Sequence, residues 1–209
     1  MSDQVIAIDG PAGSGKSSVA RALAQALGWS FLDTGAMYRA VTVEALSRRV
    51  DLTDEEAMGQ LAEGLTITTL PRVTVNGRDV QDEIRRDDVN LGVSTVAANP
   101  LVRSQMVLRQ REFAAAQPYG TVVEGRDITT VVFPHATLKV FLTASFEERV
   151  RRRSEEGKAS VERRDVADTT REASPLRQAH DALVLDTTGR SVDNAVEEIV
   201  QWLKHQTLS

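Results

Sequence analysis

The stretch Gly10-Pro11-Ala12-Gly13-Ser14-Gly15-Lys16-Ser17 constrains the chain more than any other, because it fits the pattern G-x-x-x-x-G-K-[ST]. Val5-Ile6-Ala7-Ile8 precedes it, an apolar run long enough for one buried strand. Ser18 to Leu27 follows, with Val19, Leu23, Ala26 and Leu27 at helical spacing. A strand, a glycine-rich turn and a helix in that order form a phosphate cradle. Glycine lets the backbone wrap closely, its N–H groups point inward, and the helix N-terminus adds partial positive charge. Residues Gly10, Pro11, Ala12, Gly13, Ser14, Gly15, Lys16, Ser17 and the next hydroxyl, Ser18, are therefore the candidate nucleotide-phosphate site, with Lys16 reaching the terminal phosphates and Ser17 placed for Mg²⁺. The dinucleotide fingerprint G-x-G-x-x-G does not fit, because Gly13-Ser14-Gly15 leads to Ser18 where it requires glycine.

The same alternation continues. Trp29 to Leu32 reads as a strand and about Ala36 to Arg49 as a helix; a helix is expected over Pro100 to Ala116 and a strand over Thr121 to Val123. Leu138 to Leu142 and Ala182 to Asp186 complete five strands, and Val192 to Lys204 is a closing amphipathic helix. This predicts an α/β protein with the three-layer fold of P-loop nucleotide hydrolases, a five-stranded parallel sheet flanked by helices. Ligands in such sheets bind beyond the carboxyl ends of the strands. Asp33, Thr34, Tyr38 and Arg39 follow one strand end, and Glu124, Arg126 and Asp127 follow another. One of Asp33 and Thr34 can instead be a helix cap.

Around Leu65 the period changes. Leu65 to Leu70 and Arg72 to Val75 carry a strand pattern, and Asn76-Gly77 is a hairpin-turn signal. The boundaries expected are a core at 1–61 and 100–209 and a small β-containing insertion at 62–99, with a charged, helical piece from Gln81 to Asp88. A surface decoration and a wall over an acceptor site both fit this insertion. Between Phe146 and Arg171 the chain is dense in arginine, with Glu147, Glu148, Glu155 and Glu156 interspersed. Arg164, Asp168 and Arg171 have i, i+4, i+7 spacing, which on one helix face would form either a phosphate clamp or a salt-bridge ladder. Gly157-Lys158-Ala159-Ser160 breaks the helix pattern, and a cation-bearing segment at about 154–170 suits a short lid.

Net charge is −5 and cysteine is absent, so a general nucleic-acid or membrane binder, disulfides and thiolate metal sites are not expected. With no signal pattern and no membrane-length apolar run, a cytoplasmic protein is expected. A GTP switch would carry Asn-Lys-x-Asp, which does not occur. A small ATP-dependent kinase remains. A hydroxyl acceptor would call for a carboxylate base, whereas a phosphate acceptor is already anionic and calls for cations. Lys16, Arg39, Arg126, Arg164 and Arg171 favour the phosphate.

Longer stretches now sharpen this. Ile8-Asp9-Gly10 through Ser18, Leu32-Asp33-Thr34-Gly35-Ala36-Met37-Tyr38-Arg39, Val75-Asn76-Gly77-Arg78-Asp79-Val80 and Val93-Ser94-Thr95-Val96-Ala97 are similar to bacterial cytidylate kinases. So are Pro100-Leu101-Val102-Arg103, Glu124-Gly125-Arg126-Asp127-Ile128, Arg164 to Arg171 and Asp181-Ala182-Leu183, which extends the resemblance over nearly the whole chain. It implies transfer of the γ-phosphoryl group of ATP, with Mg²⁺, to CMP or dCMP. It assigns the cytosine ring to Ser94, Arg103 and Asp127 and the sugar hydroxyls to Asp168. It assigns acceptor phosphate and transfer to Thr34, Tyr38, Arg39, Arg126, Arg164 and Arg171, with Lys16, and implies that 62–99 is a nucleoside-monophosphate-binding element. The stretch between Arg153 and Arg164 is shorter than in many members, so the lid is small. Expected partners are the nucleotides alone, with no nucleic acid, no membrane and a monomeric chain. A small-metabolite kinase of the shikimate type and a non-catalytic nucleotide switch are the alternatives.

Overall fold

The structure is a computed structural model and describes residues 4–154, 157–171 and 174–207. Glu155 and Glu156, counted above among the interspersed charges, lie outside the described residues. In chain order the elements begin with β1 (Val5–Asp9), α1 (Lys16–Leu27), β2 (Ser30–Asp33), α2 (Thr34–Ser47) and α3 (Glu55–Glu63). Three short strands follow, β3 (Ile67–Thr68), β4 (Thr74–Val75) and β5 (Arg78–Asp79), then α4 (Asp87–Ala98) and α5 (Pro100–Ala115). The chain ends with β6 (Thr121–Glu124), β7 (Leu138–Thr143), α6 (Phe146–Arg152), α7 (Lys158–Thr170), β8 (Leu183–Asp186) and α8 (Val192–Thr207).

Two compact units result, Met1–Leu32 with Ala114–Ser209, and Asp33–Phe113. In the first, five strands form one sheet in the order β2-β6-β1-β7-β8. β1 runs parallel to β6 (Ile6 opposite Val122) and to β7 (Ile8 opposite Val140), and β7 parallel to β8 (Leu142 opposite Leu185). Central parallel strands are covered on both faces, which is why every residue of β1 is buried and the strand reads as a continuous apolar run rather than an alternation. Val19, Ala20, Leu23 and Ala24 of α1 share a core with Ala195 and Ile199 of α8 and with Ile6, Val122, Val140 and Leu185 from the sheet. Trp29 and Trp202 pack, partly buried, against this cluster. The expected fold class and its five strands are present.

In the second unit, α2 packs against α3, α4 and β4. β3, β4 and β5 form a separate antiparallel sheet. Asn76 (φ 49°) and Gly77 (φ 80°) make the two-residue turn that sets Val75 opposite Arg78, as their sequence signals. This unit is wider than the stretch 62–99 expected from composition. The change of period at Leu65 marks where strands begin, whereas the unit also takes in α2 and α3, which pack against each other. The charged piece Gln81 to Asp88 is not one helix: a 3₁₀ turn covers Glu83–Arg85, and Asp87 already opens α4. Among the described residues no helix is long and apolar enough to cross a membrane.

Candidate active site

The donor loop joins β1 to α1. Gly10 sits at φ 151°, and a Cβ there would lie 2.0 Å from the Leu142 carbonyl oxygen of β7, so the loop can leave the sheet this tightly only with glycine. Gly15, at φ 87°, opens α1 without a side-chain cap. The loop's carbonyls are braced from outside. Arg149 of α6 donates to Ala12 O (3.1 Å) and Arg152 to Gly13 O (3.5 Å). The Thr187 hydroxyl, beyond β8, donates to Ser14 O (3.0 Å). These bonds occupy carbonyls of the loop, whereas an anion is met by N–H groups.

Lys16 is buried and donates to Pro11 O (2.8 Å). Burial, then the charge of Arg126, bring its ammonium down to about 7, with Glu124 pulling the other way and Arg153 adding to the fall. Asp168 pulls the same way as Glu124, so the ammonium sits among charges of both signs. Ser17 is exposed, and its hydroxyl donates to Glu124 Oε1 (2.6 Å) at the end of β6. A hydroxyl and a carboxylate at the loop mouth fit a hard cation. No group of three or more His, Cys, Asp or Glu able to hold a metal occurs among the described residues. The donor set therefore suits an ion held mostly by nucleotide phosphates and water, the usual manner of Mg²⁺.

Arg126 and Asp168 form the centre of the remaining first-unit residues, with Nε donating to Oδ2 at 2.6 Å and Nη1 to Gly125 O at 3.1 Å. Burial pulls the Arg126 guanidinium down, but the charge and hydrogen bond of Asp168 outweigh it and leave it above its ordinary value. Asp127 is buried at the entry of the next turn, and Arg164 is buried on α7. Arg164 and Asp168 share α7 at i, i+4 spacing. Arg171 (φ −57°, ψ 127°) follows directly as the C-cap of α7, which ends at Thr170, and its guanidinium donates to Ser174 O. The break expected at Gly157 is real, since Gly157 (φ 74°) separates α6 from α7, although Lys158 to Ser160 are already helical.

In the second unit the open choice at Asp33-Thr34 is resolved. Asp33 is the N-cap of α2, accepting from the Ala36 N–H (2.9 Å), and Thr34 is buried in the first turn. Tyr38 is buried with the Arg103 guanidinium 5.9 Å from its ring centre. Arg103 also donates to Ala97 O (3.3 Å). Arg39 donates to Ile84 O and to Asn90 Oδ1, both at 2.8 Å, and Ser94 is half-buried on α4. Sequence reasoning did not foresee Arg149, Arg152 and Thr187 as loop braces, nor what Asp9 does. The only signal for Asp9 was a carboxylate ending an otherwise apolar strand.

The fold and its loop place the molecule among P-loop kinases. Solved structures of similar fold include the shikimate kinase from Acinetobacter baumannii in complex with shikimate (TM-score 0.53, 16% identity, 99% of this chain and 96% of that one). Another is a gluconokinase from Sinorhizobium meliloti (TM-score 0.52, 16% identity, 98% and 93%). Identities this low speak to fold alone. The chain belongs to the cytidylate kinase family, whose model matches residues 6–205. Relatives named cytidylate kinase are 48% identical in Geobacillus kaustophilus (94% of each chain covered), 46% in Mycolicibacterium paratuberculosis (95% and 94%) and 43% in Pseudomonas aeruginosa (97% and 96%).

Proposed function

We propose that the chain transfers the γ-phosphoryl group of ATP to the phosphate of CMP or dCMP, giving CDP or dCDP and ADP, with Mg²⁺. The observation that carries this is the placing of cations: Lys16 is buried where the loop enters α1, and Arg126, held on Asp168, and the buried Arg164 lie in the same unit. Cations behind a phosphate loop suit two phosphate groups brought together better than a neutral hydroxyl acceptor. Family membership supports the same chemistry.

The acceptor phosphate is its own nucleophile, so no side chain has to remove a proton. Catalysis is then alignment and charge neutralisation. The loop from Gly10 to Ser18 holds the ATP phosphates through backbone N–H groups. Lys16 follows the transferred group, with Arg126, Arg164 and Arg171 meeting charge on the phosphates. Asp168 holds Arg126 and takes the sugar hydroxyls. Thr34, Tyr38 and Arg39 serve the acceptor phosphate. Ser17, facing Glu124, would hold the Mg²⁺ carried by ATP, which supplies charge neutralisation across the phosphates. Ser94, Arg103 and Asp127 read cytosine, with the Asp127 carboxylate accepting from the N4 amine. We also assign acceptor binding to the element at 62–99 and lid action to the segment around α7, in a monomeric cytoplasmic enzyme.

The test is an ATP–Mg²⁺ assay against CMP, dCMP, UMP, AMP, GMP and shikimate. Uracil would present a carbonyl to Asp127, an unpaired contact of about 1–3 kcal/mol. CMP is therefore expected to exceed UMP by at least about tenfold in kcat/KM. Comparable turnover of both would sink the cytosine assignment, and turnover of shikimate alone would move the chain to the small-metabolite kinases.

A further inference from the structure

Asp9, the last residue of β1, is fully buried and binds no part of the donor loop. Its carboxylate accepts three hydrogen bonds from the turn that follows β6. The Ile128 N–H donates to Oδ1 (3.0 Å), and the Thr129 N–H (2.8 Å) and hydroxyl (2.7 Å) donate to Oδ2. That turn, Ile128–Val132, is π-helical: the Val132 N–H donates to Asp127 O (3.1 Å) and the Phe133 N–H to Ile128 O (2.8 Å). A single π turn has no internal partners for its first N–H groups, and such turns recur at functional sites. Here those N–H groups are taken by a carboxylate from another strand, and the residue at the turn's entry is the buried Asp127.

This is a costly way to end a turn. Burial brings the Asp9 carboxyl up to about 6, with the Thr129 and Ile128 hydrogen bonds opposing and the nearby charge of Asp127 adding to the rise. A buried charge is retained where its directed hydrogen bonds fix a geometry that apolar packing would leave loose. Two neighbouring features are anchored separately: Gly125 N–H donates to Ile8 O (2.9 Å) and Arg126 is held on Asp168. What Asp9 secures is the start of the stretch just after Asp127.

We propose that Asp9 is a positioning residue that fixes Asp127 against the acceptor base and so sets the preference for cytosine over uracil. The proposal rests on the reading of Asp127 as the acceptor for the N4 amine. A hydrogen bond weakens steeply with misalignment. Loosening the turn therefore weakens recognition of the base and leaves the phosphate-binding groups in place.

The experiment compares Asp9→Asn, Thr129→Val, Thr129→Ser and Asp127→Asn for kcat/KM with CMP and UMP, KM for ATP, and thermal stability. Asp9→Asn keeps shape but presents an amide to donors. Its CMP-to-UMP ratio is expected to fall about tenfold, through a raised KM for CMP, with KM for ATP unchanged. Thr129→Val removes one of the three bonds without changing side-chain volume, and a fall of about threefold is expected, restored by Thr129→Ser. If Asp9→Asn does not fold, the Thr129 pair decides. A wild-type ratio in folded Asp9→Asn and Thr129→Val, beside a collapsed ratio in Asp127→Asn, would overturn the role of Asp9 while leaving the cytosine reading intact. A wild-type ratio in Asp127→Asn would remove that reading, and the proposal with it.

Discussion

α6 and α7 are drawn from the same arginine-dense stretch, yet their side chains do different work. Arg149 and Arg152 on α6 turn to backbone carbonyls of the donor loop. Arg149 also meets Asp165 of α7 (2.6 Å), and Arg152 meets the Thr187 hydroxyl (2.9 Å). On α7, Arg164 is buried and Asp168 takes Arg126. One helix stiffens the cradle, and the other presents the groups we assign to transfer. Counting arginines cannot separate the two roles, because the carbonyl partners of Arg149 and Arg152 lie more than a hundred residues away along the chain.

The contrast is open to attack by substitution. Arg164→Ala is expected to have the largest effect, lowering kcat by about 10³-fold, as for other cations that meet transferring phosphoryl groups, while ATP binding changes little. Steady-state kinetics beside ATP titration would measure both, and an unchanged kcat would take Arg164 out of the transfer machinery. Arg149→Ala should act the other way round. Losing a buried pair and a loop brace is expected to destabilise the fold by about 1–3 kcal/mol and to raise KM for ATP about tenfold, with a smaller change in kcat. A drop confined to kcat would erase the distinction between the helices.

A smaller effect follows from Lys16. Its folded value of about 7 lies below the ordinary lysine value of 10.5, so between those limits the unfolded chain holds the proton and the folded chain does not. The buried cation therefore costs stability at and below pH 7, and stability recovers as pH rises towards 10.5. ATP phosphates favour the charged ammonium, so ATP binding at pH 8 should take up protons. Calorimetry in buffers of different ionisation enthalpy would detect this, and binding without proton uptake would mean that Lys16 is already charged there. The smallest effect belongs to Arg151, an exposed partner of Glu148 on the same helix. Arg151→Ala should leave kcat, KM and melting temperature unchanged within error.

Much of the fold was legible because buried parallel strands are short apolar runs and the hairpin carries Asn76-Gly77, residues that accept positive φ. The strand order was not, since β1 lies between β6 and β7, whose positions depend on pairings across more than a hundred residues. Within the candidate site, the donor loop could be read because its geometry needs glycines at set positions. Arg149 could not, because its partner is a carbonyl 137 residues away, and a carbonyl leaves no mark in a sequence. The end of α7 at Thr170 left no mark in the sequence, since the nearest proline is only at Pro175. Asp9 could not be read either. It carried no assignment of its own, and its partners include the backbone of a turn 119 and 120 residues away.

Both tryptophans of the chain, Trp29 and Trp202, pack on the core of the first unit, and Asp33–Phe113 contains neither. Intrinsic tryptophan fluorescence is therefore an optical label for one half of the molecule, supplied without engineering. In a denaturant titration it reports the sheet unit alone, while far-ultraviolet circular dichroism sees the helices of both. Coincident curves would mean a single cooperative transition, and separated curves would resolve the second unit melting independently.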